Sequence, residues 1–184
     1  MIVAVDIALR KSGYVVTDDK GKVIHKGMVL VPPKEKYTTY IQTLYLGFLE
    51  VFRDIQGKFP DAELELVVED VADFFHKTSA LGIHAARTAC VLAWVNLHIS
   101  KNEVSYYTPS KVKYFLTNKR GADKDLLKSS LQEKYPHIEL EGLEEDEIDA
   151  LALALLHIHN RTGENSEPIV QKTKRKRAPR RSGV

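Results

Sequence analysis

Four acidic residues stand where predicted strands end or a predicted helix begins. Asp6 closes the first apolar, β-branched segment, and Glu69 closes a later one, Leu64–Glu69. Asp146 and Asp149 are three residues apart at the start of a C-terminal helix, so they lie on one face of it. Side chains at the carboxyl ends of neighbouring strands lie close together in an open α/β sheet, so we expect these carboxylates to converge.

Clustered carboxylates repel one another, and a pair of divalent cations would remove that repulsion. Oxygen ligands favour hard ions such as Mg²⁺ or Mn²⁺ over zinc. Two such ions about 3.5–4 Å apart hold an attacking water and a leaving oxygen in line, which is the chemistry of phosphodiester hydrolysis. The alternative is structural, because acids at a helix start also complement the helix dipole. The stretch Glu139–Asp149 contains seven acids, which a solvated face would equally explain.

The elements that must position these residues follow from hydrophobic periodicity. Three antiparallel N-terminal strands are predicted, with a turn at Asp18–Lys22, and two further strands at Leu64–Glu69 and Val104–Tyr107. Helical spacing predicts a long helix ending near Gly57, then helices at Ser79–His98, after Thr108, at Asp123–Tyr135 and at Glu145–His159. The order βββ–α–β–α–β–ααα predicts an α/β fold, with a mixed five-stranded sheet flanked by helices on both faces.

Charge divides the chain into a body and a tail. The formal net charge is +2, but from Gln171 to Val184 there are seven Lys or Arg and no acid. Residues 1–170 hold 20 basic and 25 acidic residues, a net charge of −5. We therefore expect one domain over residues 1–162 and a basic, disordered tail over 163–184. The charge of the body is no argument for nucleic-acid binding.

Several classes of protein are disfavoured by composition. Cys90 is the only cysteine, which excludes an internal disulfide and a cysteine-rich zinc module. No apolar run approaches the ~20 residues of a membrane span, and the first residues lack the charged region of a signal peptide. No Walker A loop is present, so no nucleotide cofactor is expected. The expected location is cytoplasmic, without membrane association.

Three segments resemble the motifs of RuvC-type Holliday junction resolvases, in the same order. They are Ile2–Val16 with Asp6, Ser12, Gly13 and Tyr14, then Val67-Val68-Glu69, then Asp146-Glu147-Ile148-Asp149-Ala150-Leu151-Ala152. The resemblance runs from about residue 2 to residue 160 and implies a ribonuclease H-like fold. It also implies that Asp6, Glu69, Asp146 and Asp149 are catalytic ligands of two Mg²⁺ ions, for which Mn²⁺ can substitute.

The resemblance extends to lysines. Lys113 and Lys124 match positions where the family has basic residues near its active site, and they are expected to hold the scissile phosphate or offset charge in the transition state. Lys111 is expected to contact DNA beside them. Without the resemblance, each would be interpreted as an ordinary solvated lysine.

The chain departs from the family pattern at two places. The family has Asp-Pro-Gly at its first motif, and this chain has Asp6-Ile7-Ala8. The family also has an aromatic wedge three residues after the glutamate, where this chain has Ala72, with Phe74 and Phe75 just beyond. We expect one of the two rings to bind DNA by stacking on an unpaired base at the junction centre. The alternative for both rings is core packing.

The resemblance implies a Mg²⁺-dependent endodeoxyribonuclease that resolves Holliday junctions or other branched DNA by paired symmetric nicks, in recombination, repair or the processing of replicated DNA. Two identical nicks need two identical sites, so a homodimer is expected, with the alanine-rich helix as its candidate interface. Three alternatives remain. They are a related nuclease acting on RNA–DNA hybrid or flap, a non-catalytic DNA-binding module of the same fold, and an actin-like or sugar-kinase ATPase. The ATPase would require a second glycine-rich phosphate loop, which the chain does not offer.

Overall fold

The computed structural model describes residues 1–32, 36–70, 77–97 and 104–163. Within these ranges the chain forms five strands and five helices, in the predicted order. The strands are β1 (Ile2–Asp6), β2 (Lys11–Thr17), β3 (Val23–Leu30), β4 (Glu65–Glu69) and β5 (Val104–Tyr107). The helices are α1 (Tyr37–Lys58), α2 (Lys77–Asn96), α3 (Pro109–Thr117), α4 (Lys124–Lys134) and α5 (Glu145–Arg161).

All five strands belong to one sheet, in the order β3-β2-β1-β4-β5. β2 runs antiparallel to both β1 and β3, whereas β4 is parallel to β1 and β5 is parallel to β4. The mixed sheet predicted from the sequence is therefore confirmed. Because β1 and β4 are adjacent and parallel, with Val5 opposite Val68, their carboxyl ends meet at the same edge of the sheet.

The sheet separates two apolar layers, because successive side chains on a strand point to opposite faces. One face of β1 and β4, including Val3, Val5 and Val68, packs against α1 and α2. The opposite face, including Ala4 and Val67, packs against α5 and its neighbours α3 and α4. Helices thus cover both faces of the sheet, as predicted.

Helix α5 lies over the centre of the sheet and contacts β1, β2 and β4. Nearly all its side chains from Ile148 to Leu156 are buried, so its sequence is apolar around most of the helix. It continues to Arg161, two residues beyond the predicted end, since Arg161 forms ion pairs with Glu65 and Asp19. The helix thus extends from the carboxyl ends of β1 and β4 to the opposite ends of these strands.

Helix α2 was predicted over Ser79–His98 and is observed over Lys77–Asn96. Its small residues Ala86, Ala89 and Ala93 face the core, where neighbouring Trp94 meets Phe52 edge to face with ring centroids 5.1 Å apart. None of the helices within the described ranges has both the length and the apolar character that crossing a bilayer requires.

Candidate active site

The structure places the four predicted carboxylates around one edge of the sheet. Asp6 is the last residue of β1 and Glu69 the last residue of β4, and their carboxyl groups are in hydrogen-bonding contact. Asp149 lies close enough to act electrostatically on both, and Asp146 on Asp6. Strand pairing supplies one half of the cluster and the start of α5 supplies the other half.

Burial and mutual repulsion make the ionised forms of these acids unfavourable. Burial is the largest cause of a raised pKa at Asp6, at Glu69 and at Asp149, and negative neighbours raise each pKa further. Four ionised carboxylates are therefore unfavourable at this site unless a cation neutralises them.

Lysines approach the cluster from two sides. The Lys124 Nζ lies 3.8 Å from a carboxylate oxygen of Asp149 and also pairs with Glu145. Lys113 on α3 is near enough to lower the pKa of both Glu69 and Asp149. The structure thus brings Lys113 and Lys124 to the carboxylates, in agreement with their predicted positions.

Lys111 is placed differently. It is exposed on α3, and its Nζ lies 5.5 Å from the centroid of the Tyr107 ring. Phe74 and Phe75 lie outside the described residues, as does the tail beyond residue 163. The DNA-contacting roles of these residues stay predictions.

Lys11 is a cation of the site that the sequence reasoning missed. Its Nζ lies 3.2 Å from an Asp146 carboxylate oxygen and also pairs with Glu144. Lys11 begins β2 directly after the turn that follows Asp6, and a buried Ser12 hydroxyl closes that turn by bonding to the backbone of Ala8 at 3.1 and 3.2 Å. The sequence contained no local signal for the Lys11 contact, because its partners are more than 130 positions away.

Gly13 was noted only as part of the first motif, and in the structure it sets how closely α5 approaches β2. Gly13 lies directly opposite Asp6 in the ladder of β1 and β2. A Cβ at this position would stand 2.4 Å from the Asp146 carbonyl carbon and oxygen, closer than real Cβ contacts. Only glycine therefore allows the backbone at Asp146 to lie against the strand end beside Asp6. A glycine inside a strand was the available signal for such a close approach.

The donor set is suitable for a hard divalent cation. Four carboxylates face one edge of the sheet, and three of them have pKa values raised by burial and by one another, so a cation there would remove an existing electrostatic conflict. Among the described residues, no three Asp, Glu, His or Cys side chains already form a closed ligand cluster. Lys11 and Lys124 pair with Asp146 and Asp149 instead.

Comparison with known proteins decides the family. The model of a family described as crossover junction endodeoxyribonuclease RuvC matches residues 2–157. The chain belongs to the RuvC family. A RuvC of Citrifermentans bemidjiense is 26% identical over 163 residues, which cover 87% of this chain and 93% of that protein. A RuvC of a Bradyrhizobium species is 28% identical over 166 residues, covering 89% of each chain.

Solved structures agree on the fold. Thermus thermophilus RuvC in complex with a Holliday junction substrate superposes with a TM-score of 0.68 at 21% identity, covering 88% of this chain and 95% of that chain. The yeast mitochondrial Holliday junction resolvase Ydc2 has a TM-score of 0.50 at 11% identity, covering 85% of this chain and 75% of that one. The predicted ribonuclease H-like fold is confirmed. The chain is a crossover junction endodeoxyribonuclease of a metal-dependent nuclease family.

Proposed function

We propose that this chain cuts four-way or branched DNA by paired, symmetric nicks in a Mg²⁺-dependent reaction, in DNA recombination or repair. Asp6, Glu69, Asp146 and Asp149 would hold two Mg²⁺ ions, and Mn²⁺ would substitute for them. The observation that carries the proposal is the meeting of two strand-end acids with two helix-start acids. We place its action in the cytoplasm, at a nucleoid or at a viral replication site.

Each element of the site has a distinct task in this reaction. The ions, when bound, would supply Lewis acidity to the attacking water and the leaving 3′ oxygen. Asp6 and Glu69 would hold the ions in their ionised forms, with any proton between them released to water, and α5 presents Asp146 and Asp149 from the other side. Lys113, and Lys124 once it leaves Asp149, would offset the charge of the scissile phosphate. The ends produced are a 5′-phosphate and a 3′-hydroxyl.

A panel of labelled substrates tests the proposal. Four-way junction, flap, linear duplex and RNA–DNA hybrid are each incubated with the full chain and Mg²⁺, and products are mapped at nucleotide resolution. We expect symmetric nicks in the junction and little cleavage of the linear duplex. Asp146→Asn is the inactive control, because asparagine preserves the shape of the side chain but lacks its negative charge. Faster cleavage of hybrid or flap than of junction would contradict the proposed substrate.

We further propose that two copies pair through the outer face of α2 and the adjacent edge of β5. Ala86, Ala89 and Ala93 of α2 face the core, so they do not provide this surface. The outer face instead exposes Leu92, Val95 and Tyr106, which line a groove of about 480 Å³ with Arg87 and Asp70. Exposed apolar side chains gathered in one groove are typical of an interaction surface. A symmetric dimer would present two identical sites to the two strands to be nicked.

Light scattering after size-exclusion chromatography tests the dimer. Leu92 on α2 and Leu46 on α1 are both 50% exposed, so they make a matched pair. We expect Leu92→Glu to give a folded monomer and Leu46→Glu to leave the dimer intact. A monomeric unmodified chain, or an equal effect of both variants, would contradict the proposed interface.

A further inference from the structure

Glu147 is a buried acid that the proposed reaction does not use. It lies between Asp146 and Asp149 in sequence, yet only 5% of its side chain is exposed. Burying a carboxylate is costly unless it is hydrogen-bonded and paired with a cation. The contacts of the Glu147 carboxylate therefore indicate its role in the structure.

Its carboxylate is held by two donors. The Lys26 Nζ on β3 lies 2.9 Å from Glu147 Oε2, and the backbone N–H of Glu144 donates to the same oxygen at 2.8 Å. Glu144 and Glu147 together form a reciprocal capping box at the first turn of α5. Lys26 also donates to the carbonyl oxygen of Gly142, in the turn that precedes the helix. One lysine thus fastens both the helix start and its incoming turn to the edge of the sheet.

Helix geometry keeps Glu147 apart from the carboxylate cluster. Successive residues turn by about 100°, so Glu147 points about 100° from Asp146 and about 160° from Asp149. It faces the edge strand β3, whereas the two aspartates face the ends of β1 and β4. Its position on the helix makes it a poor candidate for a metal ligand, but it is well placed to prevent rotation of the helix.

Contacts with two strands therefore set the orientation of the first turn of α5. On β2, the backbone of Asp146 packs directly against Gly13, and Lys11 pairs with the Asp146 carboxylate. On β3, Lys26 holds Glu147. A helix end touching the sheet at one point can still rotate about that point, and the second attachment prevents this. The rotation that is prevented is the one that would move Asp146 and Asp149 relative to Asp6 and Glu69.

We propose that the Lys26–Glu147 ion pair is a positioning device that orients Asp146 and Asp149 for cation binding. The proposal deepens the proposed function and rests on it, since it assumes that these aspartates are metal ligands. Glu147 and Lys26 are positioning residues, because neither contacts the cluster itself. Loss of such an outer partner typically weakens metal binding by about 10- to 100-fold.

The test measures Mn²⁺ binding by the full chain, using calorimetry and the electron paramagnetic resonance of free Mn²⁺, without DNA. The variants are Glu147→Gln, Lys26→Met and the double variant. The matched controls Glu141→Gln and Lys22→Met remove exposed charges from the neighbouring turns. We expect Glu147→Gln and Lys26→Met each to weaken Mn²⁺ binding by about 10-fold or more. The double variant should bind Mn²⁺ no more weakly than either single variant. Lys26→Arg should retain most of the Mn²⁺ affinity.

A purely structural role would lower the melting temperature without changing Mn²⁺ affinity in protein that is still folded. If folded Glu147→Gln and Lys26→Met bind Mn²⁺ with wild-type affinity, the positioning role is overturned, whereas the proposed metal site is not. Loss of binding in Glu147→Gln but not in Lys26→Met would make Glu147 a ligand and also overturn it. If Asp149→Asn binds Mn²⁺ as tightly as the unmodified chain, the proposed metal site fails, and this inference fails with it.

Discussion

Strand β4 begins and ends with a glutamate, and the pKa values of the two glutamates are shifted in opposite directions. At the start, Glu65 accepts hydrogen bonds from His157 Nε2 at 2.8 Å and from Arg161 at 2.6 Å. Burial alone would raise the pKa of Glu65, but these two hydrogen bonds lower it below its ordinary value. At the other end, burial and the neighbouring Asp6 raise the pKa of Glu69. Two like residues, four positions apart on one strand, therefore have opposite pKa shifts.

Helix α5 runs between the same two edges and shows the same contrast. Its first turn carries acids and its last turn carries His159 and Arg161, so both ends complement the helix dipole. At the Arg161 end, the arginine pairs with Glu65 and Asp19. At the other end, Lys11, Lys26 and Lys124 pair with acids of α5, yet the pKa values of Asp6, Glu69 and Asp149 are still raised. The difference supports the proposal that one edge serves stability, whereas the other binds a cation.

The largest effect is expected from replacing one glutamate of β4 and sparing the other. Glu69→Gln removes a proposed metal ligand and should slow junction cleavage by more than about 100-fold, the upper range for losing a mere outer partner of a metal. Its free energy of unfolding should be unchanged or higher, because glutamine replaces a buried acid whose ionisation is disfavoured by burial and by Asp6. The measurements are single-turnover cleavage with Mg²⁺ and thermal unfolding without metal. Cleavage within a few-fold of the unmodified chain would remove Glu69 from the site.

Gly13→Ala should disrupt the same edge without altering any charge. The added methyl group would collide with the backbone of Asp146, so α5 must shift. Overpacking of this kind costs about 1–3 kcal/mol of stability, and we expect a loss of cleavage beyond what unfolding explains. Gly121 has no atom within 4 Å of an added Cβ, so Gly121→Ala is the matched control. Full activity in Gly13→Ala would mean that the helix start tolerates displacement.

At the opposite edge, where Glu65 pairs with Arg161, the stability of the fold should depend on pH. Because the pKa of Glu65 is lowered by folding, its ionised form stabilises the fold fully above pH about 4.3, the ordinary pKa of glutamate. That contribution disappears as the pH falls through the lowered value. Glu65→Gln should therefore cost about 1–2 kcal/mol of unfolding free energy at neutral pH, and the cost should vanish in acid. Junction cleavage should be preserved.

Urea unfolding of both proteins from pH 3 to pH 7 measures this difference. Glu50→Gln, on the exposed face of α1, is the control for losing a negative charge. A cost that is independent of pH would show that packing, rather than the ion pairs, gives Glu65 its stabilising role.

Much of this contrast could be predicted from the sequence, because it depends on regular elements. Alternating apolar residues predicted the strands, and the acids at the strand ends followed from that. Lys11 and Gly13 could not be assigned roles in this way, since both act on Asp146, which lies more than 130 positions away. The contact between Glu65 and His157 could not be predicted either, because the two residues are 92 positions apart in sequence.

The smallest effect is expected from Lys11, and its sign sharpens the contrast between the two edges. If Lys11 competes with the proposed cation for Asp146, Lys11→Met should strengthen Mn²⁺ binding, because Asp146 no longer has a competing partner. An exposed ion pair is weak, so the gain should be only about two- to fivefold and should shrink as salt is added. Lys20→Met, an exposed lysine in the turn between β2 and β3, is the control. Weaker Mn²⁺ binding in Lys11→Met would instead show that Lys11 holds Asp146 in place, and this edge would then resemble the paired edge at Glu65.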